Sequence, residues 1–299
     1  MIDIIVIGCG PSGLTAALYA LRANKSVLIL EKEAIGGQIA NSPKVENYPT
    51  IKEISGSELS ERMFDQVTEM GAQFELEDVS KIEKVGEIFK VTGSFNTYEA
   101  KSVIIANGVN HRGLSLPNEE ELTGKGVYFC AVCDGPMFKD QDVYLIGDAN
   151  SALQYALLLS GYAKTVHMFT LFGGFFGEKV LQDRVLAKDN IKVLNNMNCI
   201  EYQGDDELTG LVFENTQTKE KFEYKTNNVF VAIGQVPQND AFKDLVDLEK
   251  GFIITDDEMK TKTPGIFACG DTRKKTVRQV VTACNDGAIA AMSAVKYLG

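Results

Sequence analysis

The chain has 299 residues, of which 44% are hydrophobic and 24% are charged, and its formal net charge is -11. This length can hold two domains with separate cores, and the acidic balance argues against nucleic acid as a partner. The start Met1-Ile2-Asp3 shows no basic segment followed by an apolar core, and no apolar run approaches the length of a membrane span. We therefore expect a cytoplasmic protein with no membrane partner, whose cysteines are reduced unless they are catalytic.

The first predicted unit is a strand, a glycine-rich turn, a helix and a second strand. A buried strand at 4–7 precedes Gly8-Cys9-Gly10-Pro11-Ser12-Gly13, a helix follows over 14–23, and a strand over 27–30 ends at Glu31. Gly8 permits the tight turn, Gly10 lets the backbone approach a pyrophosphate, and Gly13 lets the helix pack against the strand. The helix N-terminus favours the phosphates, and Glu31 is placed to accept hydrogen bonds from ribose hydroxyls. Because all these parts are in register, the pattern predicts a dinucleotide site.

Further along, Lys81 to Gly93 and Glu99 to Ala106 are predicted to form the strands of an inserted sheet and a return strand. The next informative stretch is Cys130-Ala131-Val132-Cys133-Asp134-Gly135. Two cysteines at this spacing can form a disulfide or remain a dithiol, and the acid that follows can supply a proton. A zinc site is disfavoured because it wants four ligands and the sequence has no second cluster of cysteine or histidine. A buried cysteine pair remains an alternative to a redox disulfide.

A second strand, turn and helix begin at Val143. The strand Val143-Tyr144-Leu145-Ile146 leads into Gly147-Asp148-Ala149-Asn150-Ser151-Ala152, and a helix is predicted over 152–159. Ala149 stands where the close approach of a pyrophosphate requires glycine, and Asp148 adds a negative charge beside that place. This second phosphate loop is therefore predicted to be impaired.

An apolar, aromatic and glycine-rich run spans residues 169–177. It could fill a vacant pocket, pack against another domain or face a protein partner. Farther on, a strand that ends in Gly270-Asp271 precedes Arg278-Gln279-Val280, and a final helix is predicted over 283–297. The sequence also has one notable positive cluster, formed by Arg273, Lys274, Lys275 and Arg278. This cluster is equally consistent with a solvated loop and with a docking patch for an acidic protein.

Several motifs in combination resemble the low-molecular-weight thioredoxin reductase family, and the resemblance covers nearly the whole chain. They are Gly36-Gly37-Gln38, Glu46-Asn47-Tyr48-Pro49, Ala106-Asn107-Gly108 (Ala-Thr-Gly in the family), Cys130 to Gly135, Gly265 to Asp271 and Arg278-Gln279-Val280. The resemblance implies an α/β fold with two Rossmann-like, three-layer domains, in a homodimer. A discontinuous FAD domain would comprise residues 1–112 and 240–299, and a middle domain, residues 113–239, would carry the redox cysteines and a degenerate NADPH-type site.

The resemblance also implies residue roles. Cys133 would face the flavin, Cys130 would attack a thioredoxin disulfide, and Asp134 would exchange protons with the leaving thiol. The implied cofactor-binding residues are Gly8, Gly10, Pro11, Ser12, Gly13, Glu31, Lys32, Gly36, Gly37, Gln38, Asn47, Val79, Ala106, Asn107, Gly108, Gly270, Asp271, Arg278, Gln279 and Val280. No metal is expected.

The electron donor is where the chain departs from the family pattern. A His-Arg-Arg-x-x-x-Arg stretch grips the 2′-phosphate of NADPH in the family, and here Met168, Phe169 and Gly173 replace the three arginines. Losing three charge-assisted bonds of about 1.5–3 kcal/mol each would weaken NADPH binding by several powers of ten. We therefore expect a thioredoxin reductase that takes electrons from ferredoxin, like the ferredoxin-dependent flavin thioredoxin reductases. The alternatives are an NADPH-dependent thioredoxin reductase with an atypical nucleotide site and a flavin or disulfide-binding module without turnover.

Overall fold

A computed structural model describes residues 1–42 and 45–299, apart from the side chains of Asn41, Val132, Cys133 and Gln235. The chain divides into two compact units. The first unit comprises Met1–Asn110 and Val236–Gly299, and the middle unit comprises His111–Gln235. Both are α/β units built on parallel strands, which confirms the predicted fold class of two Rossmann-like units.

The strands are β1 Ile2–Ile7, β2 Val27–Glu31, β3 Gln73–Leu76, β4 Lys81–Val85, β5 Ile88–Thr92, β6 Thr97–Ile105, β7 Asn110–His111, β8 Val127–Tyr128, β9 Asp142–Ile146, β10 Thr165–Phe169, β11 Ile191–Leu194, β12 Met197–Gln203, β13 Gly210–Asn215, β14 Lys221–Lys225, β15 Val229–Val231, β16 Gln235–Val236, β17 Leu248–Glu249, β18 Phe252–Ile253 and β19 Ile266–Ala268. The helices are α1 Pro11–Arg22, α2 Gly56–Glu69, α3 Glu119–Leu122, α4 Ala131–Asp134, α5 Asn150–Leu159, α6 Lys179–Leu186 and α7 Val280–Leu298. Short 3-10 turns cover Gly37–Asn41, Gly135–Phe138, Asp240–Phe242 and Gly270–Thr272.

The first unit is organised by a sheet in the order β3-β2-β1-β6-β5-β4, with β19 also paired to β6. Strands β1, β2, β3, β6 and β19 are parallel, whereas β4 and β5 join the edge in antiparallel pairs. The predicted inserted sheet is thus an extension of the main sheet, because β6 is long enough to pair with β5 along its first half and with β1 along its second. Helices α1 and α7 pack together through small residues of one buried cluster, which include Ala16, Ala17, Ala290 and Ala294.

The middle unit has a parallel sheet in the order β11-β10-β9-β15-β8 and an antiparallel sheet β12-β13-β14. Residues of α5 and α6 pack in a buried cluster with Val143, Leu145 and Val166, and a second cluster joins the parallel sheet to Phe213 of the antiparallel sheet. Within the described ranges, no helix combines the length and the apolar character needed to cross a bilayer.

The helices that follow the two glycine-rich turns begin earlier than the sequence predicts. Helix α1 starts at Pro11, where proline is pre-organised for a first helical position, and α5 starts at Asn150. Helix α7 starts at Val280 because Gln279 and Thr282 form a reciprocal capping box. Each of these starts places a helix N-terminus directly against its turn.

A buried carboxylate, Glu77, fixes the turn between β5 and β6. It accepts hydrogen bonds from the backbone N–H of Phe95 (2.8 Å) and of Asn96 (2.9 Å) and from the Tyr98 hydroxyl (3.0 Å). Burial raises the pKa of Glu77, but the hydrogen bonds outweigh burial and the net shift is downward. The ionised carboxylate is therefore part of the folded structure.

Candidate functional site

The first glycine-rich turn has little room for side chains. Gly8 has φ +108°, and a Cβ there would lie 2.3 Å from the Ala106 carbonyl oxygen. A Cβ on Gly13 would lie 2.0 Å from the Gly8 carbonyl oxygen, so α1 approaches the turn as closely as the sequence predicts. For Gly10 the nearest atom is the Gly36 carbonyl oxygen at 3.8 Å, so the protein leaves open space above this residue. Gly10 is also the N-cap of α1, and that open space therefore lies at a helix N-terminus, where anions bind.

Glu31 lies at the end of β2, beside this turn. Its Oε2 accepts a hydrogen bond from the Cys9 backbone N–H at 2.7 Å, and its Oε1 accepts from the N–H groups of Lys32 (2.8 Å) and Glu33 (3.1 Å). A carboxylate has about four acceptor positions, so Glu31 keeps capacity for a hydroxyl donor.

The Gly36-Gly37-Gln38 segment lies against the turn. The Gly36 N–H donates to the Cys9 carbonyl at 2.8 Å, and a Cβ on Gly37 would lie 3.4 Å from the Gly10 Cα. Gln38 is exposed. Asn47 lies next to the C-terminal segment, because its Nδ2 donates to the Gln279 Oε1 at 3.1 Å. Residues distant in the sequence are thus brought to one edge of the sheet.

A cleft of about 80 Å³ continues from Glu31 across the first unit. Among its lining residues are Gly8, Glu31, Lys32, Val79 and Asn107. Asn107 donates to the Gln238 carbonyl (2.9 Å) and to the Asn239 Oδ1 (3.1 Å). Ala106 is buried and Gly108 follows with φ +64°.

The C-terminal motif supplies further polar groups. Gly270 has φ +79°, and a Cβ there would lie 2.4 Å from the Ser12 Oγ, so this turn packs on the N-terminus of α1. The guanidinium of Arg278 lies over the Phe252 ring at 4.4 Å. Gln279 caps α7, and Val280 is its first residue. The Asp271 carboxyl is partly buried, and burial raises its pKa, whereas Lys275 and Arg278 lower it.

Unsatisfied polar atoms test whether these residues fit a cofactor. Among the described residues, the buried side-chain atoms without a hydrogen-bond partner are Oδ1 of Asn107, Oδ1 of Asp271 and Nε of Arg278. A buried polar group without a partner is costly, and such groups in folded proteins call for an explanation. All three atoms belong to residues predicted to bind the cofactor. The two Oδ1 atoms can accept hydrogen bonds from hydroxyl or amide groups of a ligand, and the Arg278 Nε can donate one to a ligand acceptor. FAD has groups of all these kinds, so these residues fit FAD.

The redox segment lies in the middle unit. Cys130 is disulfide-bonded, and it immediately precedes α4. The side chain of Cys133, the predicted second cysteine, lies outside the described part of the chain. Asp134 ends α4, and its backbone N–H donates to the Cys130 carbonyl at 3.1 Å. Burial raises the pKa of Asp134, so its protonated form persists closer to neutral pH than for an exposed carboxyl.

Two tyrosines that sequence reasoning missed hold this segment. The hydroxyl of Tyr155 donates to the Phe129 carbonyl (3.4 Å), and that of Tyr162 donates to the Ala131 carbonyl (3.3 Å). Gly135 leaves room for the Tyr162 side chain, because a Cβ on Gly135 would lie 2.0 Å from the Tyr162 hydroxyl oxygen. No sequence signal separated Tyr155 from the other residues of the apolar helix α5, or Tyr162 from an ordinary residue of the turn that follows it.

The second glycine-rich turn repeats the backbone of the first. Gly147 has φ +149°, and a Cβ there would lie 2.3 Å from the Ala232 carbonyl oxygen. Ala149 is the N-cap of α5 with φ -106° and ψ -175°, close to the -80° and -179° of Gly10 in the first turn. The backbone is therefore unstrained, and the change from glycine adds a methyl group where the first turn is open.

The aromatic run crosses in front of this second turn. The Phe176 N–H donates to the Asp148 carbonyl at 2.8 Å, and the Glu178 N–H donates to the Asn150 Oδ1 at 2.6 Å. The Asn150 Nδ2 in turn donates to the Glu178 carboxylate at 3.2 Å. Burial raises the pKa of Asp148. These hydrogen bonds hold residues 176–178 against the N-terminus of α5. The carboxylates of Asp148 and Glu178 lie near this helix N-terminus.

The positions predicted to have lost their arginines are not all surface positions. Met168 and Phe169 end β10 and are fully buried, and the Phe169 ring stacks on Phe213 at 3.9 Å between centroids. Gly173 is exposed, as is Phe172, with 54% of its surface accessible. Two of the three predicted clamp positions therefore belong to the core of the middle unit.

The positive cluster is neither a solvated loop nor a docking patch, which corrects both expectations. The Lys275 side chain is 8% exposed, and its Nζ lies 2.8 Å from the Asp286 Oδ2. Arg273 is mostly buried against the same carboxylate, at 3.7 Å. Lys274 alone points outward, where it pairs with Glu249. Sequence reasoning missed Asp286, although an acid between buried Ala283 and Ala290 on an otherwise apolar helix was a usable signal.

Comparisons with known proteins agree with this geometry. The family model described as "Pyridine nucleotide-disulphide oxidoreductase" matches residues 2–287. The chain is 40% identical to the thioredoxin reductase of Peptoclostridium acidaminophilum, over 99% of this chain and 96% of that protein. It resembles the crystal structure of Lactococcus lactis thioredoxin reductase with a TM-score of 0.97 and 37% identity, over 100% of this chain and 99% of the other.

A ferredoxin-flavin thioredoxin reductase of Clostridium acetobutylicum is more distant. It is 28% identical with a TM-score of 0.53, over 99% of this chain and 97% of the other. The predicted membership of the ferredoxin-dependent subgroup is therefore not confirmed, and the comparisons favour the NADPH-dependent alternative.

Proposed function

Because this chain belongs to the pyridine nucleotide-disulphide oxidoreductase family, we propose that it is a thioredoxin reductase that works through FAD and a disulfide between Cys130 and Cys133. The observation that carries the proposal is the disulfide-bonded Cys130 beside the half-buried Asp134, in a chain that also has an intact dinucleotide turn. The alternative of a binding module without turnover has no observation in its favour.

The protein is an FAD flavoprotein. We propose that the turn from Gly8 to Gly13 holds the pyrophosphate and that Glu31 accepts from a ribose. Asn107, Asp271 and Arg278 would satisfy their unpaired atoms on the same cofactor. When bound there, FAD would supply the electron pair that reduces the disulfide.

The protein residues then carry out thiol exchange. Two electrons and two protons convert the disulfide into two thiols, and we propose that Asp134 exchanges a proton with one of them. The Cys130 thiolate attacks the substrate disulfide, forms a mixed disulfide and releases one substrate thiolate. The Cys133 thiolate attacks Cys130, which restores the internal disulfide and releases the second substrate thiol.

The comparisons support a nicotinamide donor. The family name itself refers to a pyridine nucleotide, and the chain is 37–40% identical to proteins named simply thioredoxin reductase. The turn from Gly147 to Ala152 keeps the backbone of a dinucleotide site. We therefore propose NADPH as the donor.

Ferredoxin is a second candidate, favoured by the groups around the second glycine-rich turn. Ala149 adds a methyl group at the N-terminus of α5, and Asp148 and Glu178 bring negative charge near it. These features oppose an anionic 2′-phosphate. A one-electron carrier protein would need none of these residues.

Anaerobic titration separates the donors. Oxidised protein is mixed with NADPH, with NADH or with chemically reduced ferredoxin, and the visible flavin absorbance is followed. Loss of that absorbance with NADPH supports the proposal, whereas loss with ferredoxin alone supports the second candidate. A Cys130→Ser control must keep flavin reduction by the true donor and lose reduction of thioredoxin. If wild-type protein with reduced flavin fails to reduce thioredoxin, the assignment of thioredoxin as substrate is wrong.

We further propose a cytoplasmic homodimer. Support comes from the sequence resemblance, and light scattering at several protein concentrations tests the oligomeric state.

A further inference from the structure

A buried group of charges lies around Asp271, the residue proposed above to contact FAD. We call it the Asp286 cluster and define it as Arg273, Lys275, Asp271 and Asp286. The Asp286 Oδ2 lies 2.8 Å from the Lys275 Nζ, and that Nζ lies 3.9 Å from the Asp271 Oδ1. The side chains of Lys275 and Asp286 are 8% and 5% exposed. These are not surface ion pairs.

The cluster joins three parts of the first unit. The Asp286 Oδ2 also accepts a hydrogen bond from the Gly270 N–H at 3.2 Å, which ties α7 to the residue before Asp271. A Cβ on Gly287 would lie 2.1 Å from the Ser12 carbonyl oxygen, and one on Gly270 would lie 2.4 Å from the Ser12 Oγ. The cluster is therefore packed against the first turn of α1. A shift of Asp286 would move the Gly270 turn relative to the dinucleotide turn.

Stability alone does not explain these charges. Replacing a buried ion pair by apolar residues of similar size is often neutral or stabilising, because removing charges from water is costly. The Asp271 Oδ1 is moreover buried without a hydrogen-bond partner, although Lys275 is 3.9 Å away. The cluster thus leaves one acceptor free and holds it in a fixed position.

We propose that Lys275 is a positioning residue for the cofactor and that, with Asp286, it fixes the Asp271 carboxylate in the orientation that binds FAD. This inference rests on the proposal above that Asp271 contacts FAD. The charge balance agrees with it: burial raises the pKa of Asp271, Lys275 and Arg278 oppose that rise, and Asp286 adds to it. Without Lys275, the Asp271 carboxylate would lose the cation that pairs with it at 3.9 Å, and Asp286 would keep only Arg273, at 3.7 Å.

The chain offers a matched control in the adjacent residue. Lys274 pairs at 2.6 Å with Glu249, and its side chain is 55% exposed. Lys275→Met and Lys274→Met therefore remove the same charge from neighbouring positions, one inside the cluster and one outside it.

The experiment measures FAD dissociation from purified holoprotein by flavin fluorescence, together with the melting temperatures of holoprotein and apoprotein. We expect Lys275→Met to raise the FAD dissociation constant about 10-fold or more, equivalent to ~1.4 kcal/mol, and Lys274→Met to leave it unchanged. Lys275→Arg should recover most of the affinity, because it restores the cation. The apoprotein of Lys275→Met should also melt below the wild type, because Asp286 loses a buried partner, but the holoprotein should lose more, because FAD binding is weakened as well.

The results that would contradict the role of Lys275 can be distinguished from those that would contradict the role of Asp271. Equal FAD affinity in Lys275→Met and Lys274→Met overturns the inference, and so does an apoprotein of Lys275→Met that melts as far below wild type as its holoprotein does. Asp271→Asn is measured in parallel. If it binds FAD as the wild type does, both the inference and the assignment of Asp271 are wrong. If it binds weakly while Lys275→Met does not, only the inference fails.

Discussion

Reintroducing an arginine at Phe169 should unfold the middle unit instead of creating a clamp for the 2′-phosphate. Phe169 is fully buried, and its ring contacts Phe213 at 3.9 Å and Tyr224 at 5.2 Å. Truncating such a phenylalanine costs about 3–5 kcal/mol, and Phe169→Arg adds the burial of a charge. Because a domain has roughly 5–15 kcal/mol of stability in total, most of that margin would be lost.

The matched control is Phe172→Arg. Phe172 is 54% exposed and contacts Phe176 edge-on at 5.6 Å, so its loss should cost about 0.5–1.5 kcal/mol. Urea unfolding followed by tyrosine fluorescence reports stability, because the chain has no tryptophan, and flavin absorbance reports the first unit. If Phe169→Arg were as stable as Phe172→Arg and gained affinity for NADPH, the reasoning from burial would be refuted.

Three further predictions concern Cys130, the first glycine-rich turn and the buried Glu77. Cys130→Ser should abolish thioredoxin reduction, measured by a coupled disulfide assay, while the donor still reduces the flavin; full turnover would contradict the assigned role. Gly13→Ala should prevent FAD binding and destabilise the apoprotein, because its Cβ would overlap a backbone oxygen, whereas Gly10→Ala should weaken FAD binding but leave the apoprotein melting temperature unchanged. Since the pKa of Glu77 is lowered on folding, its contribution is present above an unfolded value of about 4.3 and is lost as pH falls through the folded value. Glu77→Gln should therefore lower the melting temperature near pH 7 and flatten its decline in acid; parallel curves for both proteins would argue against this.

Motifs with strict backbone demands were predictable from the sequence. The turn from Gly8 to Gly13 follows from the conformations and contacts that only glycine permits, and both Rossmann-like units were recognised from such turns. The helix starts were placed two or three residues late, since the periodicity of apolar residues does not include the capping positions. Pro11 was a start signal that the periodicity overlooked.

Side-chain direction was harder to predict. Lys275 and Lys274 are adjacent in sequence, yet one is enclosed beside Asp286 and the other is exposed. Their difference depends on α7, a helix that follows in the sequence and packs back onto the loop. Local charge patterns contain no information about such a contact, so the cluster was wrongly taken for a surface feature. The same holds for Phe169, which is buried against the antiparallel sheet, and for Met168, which is buried in the cluster with α5 and α6.

The discontinuity of the first unit has a consequence for how the protein is made. Strand β19 pairs with β6, and α7 packs on α1, so the central sheet and the Asp271 turn are completed only by the last 64 residues, Val236–Gly299. The middle unit is continuous and leaves the ribosome earlier, so it can fold while the first unit still lacks its final strand and helix. Cofactor capture would therefore await the synthesis of residues 236–299. A chain that stops before Asp271 would lack both Asp271 and Arg278, and FAD loading would distinguish it from a chain that contains them.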